Sequence, residues 1–346
     1  MTPILTLREV SKAYGSTVAL DGVSVEFSPG EVHAVLGENG AGKSTLMNII
    51  AGFVAPDSGT GSLKEQPLPF GRPFEARRRG IAMVHQHFAL VPAFSAAENL
   101  SLANLRSPWQ THLPERDAGR SLALAVQLGW EVEADRLTEE LPVGVQQRLE
   151  ILKALSSEAE VIIFDEPTAV LTPDEVEDLF RVIRELKNRG RTIILIAHKL
   201  SEVMAIADRV TVLRRGAFVA SANIEEVDAD QLATWMVGEV PGSRTPTGAS
   251  FEPGLRVTDL HVRGERGEHA VRGVSFAIGK GEILGIGGVD GNGQVELAEA
   301  LARVRPSAAG SIYLTGCDLE EANLAYIPQD RQSDGLALSM SIRDNL

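Results

Sequence analysis

The sequence predicts an α/β protein in which a parallel sheet carries a phosphate-binding loop, and in which the same unit begins a second time. Three observations predict it. Continuous apolar runs, EVHAVL, VIIFD and TIILI, have the composition of strands buried on both faces. GENGAGKS, residues 37–44, stands between the first of these runs and a helical stretch, TLMNIIAG. The order of segments around that loop returns after residue 254.

Taken in order, ILTLREVSKAY and VALDGVSVEF read as short β-rich segments ahead of the strand EVHAVL. Residues 101 to about 155 read as helical: ERDAGRSLALAVQLG spaces its apolar residues by three and four, and Gly129 is a stop. VIIFDEP and RTIILIAHKL follow as strands, separated by TPDEVEDLFRVIRELKNRG. There Thr172 can cap a helix, Pro173 suits its first position, and Glu175 completes a capping box. Val176, Leu179, Ile183 and Leu186 form its apolar stripe.

The loop pattern is glycine, four residues, glycine, lysine, serine or threonine. Its glycines let backbone N–H groups turn toward phosphate oxygens, and Gly40 and Gly42 are expected to clear side chains from that approach. Lys43 would bring an ammonium to the β and γ phosphates, and the Ser44 hydroxyl can ligate Mg²⁺. The following helix adds its N-terminal dipole. At the end of VIIFDEP, Asp165 is the expected holder of Mg²⁺ through water, and Glu166 is placed to orient or deprotonate an attacking water.

Composition narrows the class. The chain has 346 residues, 44% of them hydrophobic, enough for about two globular domains. A net charge of −14 argues against general nucleic-acid binding, which needs clustered Lys and Arg; ArgArgArg at 77 to 79 is the one compact basic run. One cysteine, Cys317, permits no internal disulfide and points to a reducing compartment. No apolar run approaches the roughly 20 residues that span a bilayer, and MTPILTLREV lacks signal-peptide character.

In the repeat, GLRVTDLHVR, AVRGVSFAI and GEILGIGGVDGNGQ follow the order of the opening segments, and LAYIPQDRQSDGLALSMSIRDNL answers GIAMVHQHFALVPAFSAAENL. The period is roughly 245 residues, that of a duplicated domain. A first domain is expected over 1–240, a Pro-, Gly-, Ser- and Thr-rich linker over 241–254, and the N-terminal part of a second, degenerate domain over 255–346. Leu346 answers Leu100, so a fragment of a longer polypeptide is expected.

These ordered motifs resemble the nucleotide-binding domains of ABC transporters over the whole length. The resemblance implies an ABC-type P-loop NTPase domain with an antiparallel β subdomain and a helical subdomain at about 101–155. Tyr14 in SKAYGSTVAL matches the aromatic that stacks on adenine, and Gln86 in VHQHFAL the glutamine that contacts Mg²⁺ and reports nucleotide state to the membrane subunit. LPVGVQQRLEI at 141 to 151 matches the family signature, and His198 in LIAHKL the histidine that contacts the γ-phosphate. ATP is then expected on Tyr14 and on Gly37, Glu38, Asn39, Gly40, Ala41, Gly42, Lys43, Ser44 and Thr45, with Mg²⁺ on Ser44, Gln86 and Asp165, and with Glu166, His198 and Gln86 in catalysis. PTAVLTP, HKL, MVGE and the tandem arrangement look like the ATP-binding subunit of bacterial importers for simple sugars or nucleosides. That implies integral membrane permease subunits, an extracytoplasmic solute-binding protein acting indirectly, dimerisation of nucleotide-binding domains, and a place on the cytoplasmic face of the cell membrane.

Departures from the family pattern are paired. Pro142 replaces the signature serine and Val145 its polar residue, while Gln294 and Val295 replace the lysine and the serine or threonine of the second loop. No aromatic in HVRGERGEHAV replaces Tyr14. In this family each ATP is sandwiched between one domain's loop and the other's signature, so both losses fall in one composite site, leaving one hydrolytic site and one structural or regulatory site. A soluble tandem ABC protein acting on the ribosome is the alternative, disfavoured by the short linker, uncharged apart from Arg244 and Glu252; a regulator without catalysis is disfavoured by Glu166 and His198.

Overall fold

The architecture is taken from a computed structural model, which describes residues 2–85, 89–102, 118–156, 159–168, 171–197, 199–238, 253–264, 267–288, 291–315, 324–329 and 334–345. It separates into two units, Met1–Pro241 and Gly242–Leu346. In the first unit the order is β1 (Leu5–Tyr14), β2 (Thr17–Phe27), β3 (Val32–Leu36), α1 (Lys43–Ile50), β4 (Ser58–Leu63), β5 (Gln66–Pro67), α2 (Pro73–Arg78), β6 (Ile81–Val84), α3 (Ala96–Leu102), α4 (Ala118–Gln127) and α5 (Val143–Ser156). It continues with β7 (Val161–Asp165), α6 (Pro173–Asn188), β8 (Thr192–Ile196), α7 (Leu200–Ile206), β9 (Arg209–Arg214), β10 (Ala217–Asn223) and α8 (Ala229–Val237). The second unit holds β11 (Pro253–Arg263), β12 (His269–Gly279), α9 (Gln294–Leu301), β13 (Ser307–Leu314) and α10 (Ile342–Asn345).

A six-stranded sheet, β10-β9-β3-β8-β7-β6, centres the first unit. All its pairings are parallel except β9 with β10. Every residue of β3, β7 and β8 is buried, as continuous apolar runs require. Strand alternation sorts their side chains into two cores. Val35, Ile163, Ile194 and Ile196 face α1 and the antiparallel sheet β2-β1-β4-β5, through Leu46, Met47, Leu5 and Leu7. Ala34, Leu36, Phe164 and Leu195 face the helices instead, through Leu100, Leu149, Leu179 and Ile183. The antiparallel and helical parts thus clamp one sheet from opposite sides, which is the ABC-type arrangement expected. The α6 capping box forms as read, with Thr172 accepting from the Glu175 amide and the Glu175 carboxylate accepting from the Thr172 amide at 3.0 Å.

The second unit repeats the beginning of this plan. β12-β11-β13 reproduces β2-β1-β4, and both sheets break register at matching places. Left-handed glycines recur at a spacing of 251 residues (42 to 293, 59 to 310). The run GEILGIGG departs from expectation: residues 282–288 carry no strand, and Ile283 is 96% exposed. β3 is a strand because β8 and β9 hydrogen-bond its two edges; among the described residues no strand pairs with 282–288.

One buried group on β3 ties stability to pH. His33 is fully buried, its Nδ1 3.0 Å from Glu31 Oε1 and its Nε2 2.8 Å from Thr211 Oγ1. Burial pulls its pKa below the ordinary 6.5, against the opposing pull of the Glu31 carboxylate. The unfolded chain therefore takes up a proton that the folded chain resists, so this stability is complete above pH 6.5 and is lost as pH falls through it. Thermal unfolding followed by circular dichroism is expected to show a melting temperature that drops between pH 7.5 and 5.5, with a clearly smaller drop in His33→Gln.

Candidate active site

The loop from Gly37 to Gly42 joins the end of β3 to the start of α1, with Gly42 as the N-cap at φ 97°. Its glycines also meet constraints set by the protein itself. A Cβ on Gly42 would strike the Ala19 carbonyl, and one on Gly37 the Leu213 carbonyl, so both positions let strands approach the loop from behind. Gly40 has no protein atom near a built Cβ, and its φ of 80° is a region costly for other residues. Gly40 thus sets the turn and Gly42 admits the neighbouring backbone.

Lys43 is only 6% exposed. Its Nζ donates to Gly37 O at 2.7 Å and Glu38 O at 3.0 Å, so the loop closes round its own ammonium. Burial lowers the lysine pKa, and the Glu166 and Asp165 carboxylates counteract it, which brings the end of β7 electrostatically to the loop. Glu38, Asn39, Gly40 and Ser44 are exposed along the loop and the first turn of α1, with Thr45 half-buried and Ala41 buried. An ammonium flanked by outward loop positions and a helix N-terminus suits a polyphosphate.

Asp165 ends β7 and is 6% exposed. Glu166 follows with φ 48°, a left-handed backbone unusual for glutamate, held by its amide donating to Ile196 O at 3.1 Å on β8. That one residue turns the chain at the strand end, where ligands of parallel sheets bind, and strain of this kind gathers at functional sites. The hydroxyl of Ser44 and the carboxylate of Asp165 are hard oxygen donors that fit Mg²⁺. Among the described residues no cluster of three His, Cys, Asp or Glu side chains could cage a metal, so a cation here would share its coordination with phosphate oxygens and water.

Tyr14 ends β1 half-exposed, with Lys12 Nζ 5.7 Å from its ring centroid, so its ring is open to stacking rather than packed in the core. Gln86 and His198 lie outside the described residues. Beside His198, Glu202 joins two elements: its Oε2 accepts from Thr168 Oγ1 at 2.6 Å and its Oε1 lies 2.9 Å from Lys199 Nζ. No motif pointed to Glu202; the signal was its place one turn after HKL. In the signature, α5 starts at Val143 with the Pro142 carbonyl accepting from Val145 and Gln146. A Cβ on Gly144 would collide with the Glu175 carboxylate, which also lies 3.6 Å from Arg148.

The second loop repeats two glycine conformations of the first with different chemistry. Gly291 and Gly293 have φ of 80° and 92°, against 80° and 97° at Gly40 and Gly42, and a Cβ on Gly293 would strike the Ala270 carbonyl as Gly42 would Ala19. Gln294 directs its amide nitrogen at Gly288, the position answering Gly37.

Comparison with known proteins identifies the family. A family model described as ABC transporter matches residues 20–169. The chain is 40% identical to the nucleoside import ATP-binding protein NupA of Lactococcus lactis over 99% of its length, and 44% identical to the ribose import ATP-binding protein RbsA 3 of Rubrobacter xylanophilus over 100%. It spans 70% and 71% of those proteins. The chain belongs to the ABC transporter ATP-binding family. A crystal structure of an ABC transporter's ATP-binding cassette in its ADP conformation superposes with a TM-score of 0.62 at 29% identity, covering 69% of this chain and all of that one. The protein is thus an ABC ATPase, and its family binds adenine nucleotide.

The glycine geometry separates two effects in this ABC loop. Gly42→Ala is expected to reduce binding of a fluorescent ATP analogue more than tenfold, because backbone atoms of β2 block the Cβ. Gly40→Ala should cost about 1–2 kcal/mol of strain and leave a measurable site. Equal losses in a titration of the two variants would contradict this division.

Proposed function

We propose that the first unit binds and hydrolyses Mg-ATP to power import of a simple sugar or nucleoside through a membrane permease. The observation that carries this is the buried Lys43 ammonium at the loop, with Asp165 and Glu166 acting on it from the end of β7. The relatives' names supply the cargo classes, nucleoside and ribose. No feature favours a ribosomal role.

Lys43 would exchange the Gly37 and Glu38 carbonyls for phosphate oxygens, with Gly37, Glu38, Asn39, Gly40, Ala41, Gly42 and Thr45 lining the phosphate path and Tyr14 stacking on adenine. Ser44, Gln86 and Asp165 would hold Mg²⁺, which when bound neutralises charge on the phosphates. Glu166 would hold the attacking water and accept its proton, and His198 would contact the γ-phosphate. The second loop lacks both the ammonium and the hydroxyl, and it is assigned a structural or regulatory role. Closing of paired nucleotide-binding domains around ATP would be passed to the permease, with an extracytoplasmic solute-binding protein delivering cargo on the far side. The protein would then sit on the cytoplasmic face of the cell membrane; among the described residues no helix is long and apolar enough to cross it.

A cavity of about 410 Å³, lined by Phe53, Phe74, Met83, His85, Leu102 and Lys153, is the place proposed for the permease to dock. It lies beside Gln86 in sequence and between the sheet and the helical part.

Calorimetry with Mg-ATP on this chain is expected to give one site, abolished in Lys43→Ala, whereas Glu166→Gln should keep binding. In cells, loss of the protein should abolish uptake of labelled ribose-type sugar or of labelled nucleoside, and Glu166→Gln should fail to restore it. Unchanged uptake of both would overturn the importer reading.

A further inference from the structure

Tyr14 closes β1 at the tip of a hairpin, where it pairs with Thr17 of β2 across the turn at Gly15 and Ser16. On the other edge β4 stops short: its pairing with β1 ends at Ser11 and Ser58, so among the described residues 12–14 have a strand on one side only. Asp57, just before β4, fills that gap. Its amide donates to Ser11 O at 2.9 Å. One carboxylate oxygen, Oδ2, accepts from the Ala13 amide at 2.7 Å, and the other, Oδ1, accepts from Lys12 Nζ at 2.7 Å. Lys12 in turn stands over the Tyr14 ring, 5.7 Å from its centroid and within reach of a cation–π contact. One carboxylate thus fastens both the backbone beside Tyr14 and the cation on its ring. The Lys12 hydrogen bond, and after it that of Ala13, holds the Asp57 carboxyl below its ordinary 3.8, so it is charged throughout the neutral range.

We propose that Asp57 is a positioning residue for the nucleotide base, keeping the Tyr14 ring in place before ATP arrives. This rests on the adenine role proposed above for Tyr14. Stacking on a ring already held still costs less ordering than stacking on a loose hairpin tip, so the fastening is read out as affinity for the base. Its contribution to folding is small: the Asp57 side chain is 52% exposed, and ion pairs open to water add little to global stability. The second unit supplies an internal comparison. Its pairs Val262 with Val271 and His261 with Ala309 answer Lys12 with Leu20 and Ser11 with Ser58. That register sets Val262, Gly264 and Ala308 where the first unit has Lys12, Tyr14 and Asp57. The strands of that hairpin still pair as far as Arg263 with His269. Cation, ring and carboxylate are therefore lost together from a sheet that forms without them, as befits a device that serves the base and not the strands.

The test uses the full 346-residue chain with Mg²⁺ and two probes: ATP, and inorganic tripolyphosphate, which has the phosphates without the base. Calorimetry reads the first, and displacement of a fluorescent ATP analogue reads the second. Asp57→Ala should weaken ATP about tenfold, the scale of one base–aromatic contact, and leave tripolyphosphate within about twofold. Asp57→Asn, which keeps one acceptor without the charge, should lose about threefold on ATP; it serves if the alanine variant fails to fold. Tyr14→Ala should weaken ATP at least as much as Asp57→Ala. The double variant should be no worse than Tyr14→Ala alone, because Asp57 acts through the ring. Given the loss in Tyr14→Ala, three results would each overturn the proposal while the adenine role stands: unchanged ATP binding in both Asp57 variants, equal losses on ATP and tripolyphosphate, or additive losses in the double variant. Unchanged ATP binding in Tyr14→Ala would overturn the adenine role and the proposal with it.

Discussion

The electrostatics of the site centre on one buried cation. Lys43 leaves water almost completely, a change that is unfavourable for an ammonium unless oxygens replace the lost hydration. Two loop carbonyls do so directly, and Asp165 and Glu166 do so through their charge. The requirement reaches outward from there. The curl of the loop turns the Gly37 and Glu38 carbonyls inward to meet it, β3 ends beside β9, and the carboxylates come from the end of β7. Parallel pairing of β3 with β8 and of β8 with β7 brings those strand ends together.

The parts of this arrangement written locally were the ones legible in the sequence. VIIFD and TIILI announce β7 and β8 because burial on both faces excludes polar residues from every position, and TPDE announces the α6 cap because its hydrogen bonds close within four residues. What depended on distant chain was illegible. Gly42 is demanded by a carbonyl at Ala19, and Glu166 takes its left-handed turn because Ile196, thirty residues on, accepts its amide. Nothing near either residue encodes the partner. For the same reason GEILGIGG, as apolar as EVHAVL, reads as a strand and is none: a strand's existence belongs to its neighbours as much as to itself.

The two loops separate shape from chemistry. With Gln294 and Val295 in place of Lys43 and Ser44, the second loop still turns through the same pair of left-handed glycines and still packs on the strand behind it. The ammonium is therefore not what bends the backbone; glycine and the close approach of β2, or of β12 in the second unit, are. Even the reach of the side chain back to the loop's first glycine survives in the neutral amide of Gln294. What the substitution removes is charge, and with it the electrostatic link to acids at a strand end.

The signature helix shows the same division between a residue's type and its reason. Gly144 lies against the Glu175 carboxylate, which would have to shift to admit a Cβ there. Glu175 simultaneously closes the cap of α6 and stands near Arg148, whose guanidinium lies 6.0 Å from the Trp130 ring centroid. The first turn of α5 is thus seated on the first turn of α6, and α6 follows Glu166 by only seven residues. A carboxylate beside the start of α5 also meets part of that helix terminus's preference for negative charge from within the unit. With Pro142 contributing no N–H of its own, an anion arriving there would meet a terminus already partly compensated by its neighbour on α6.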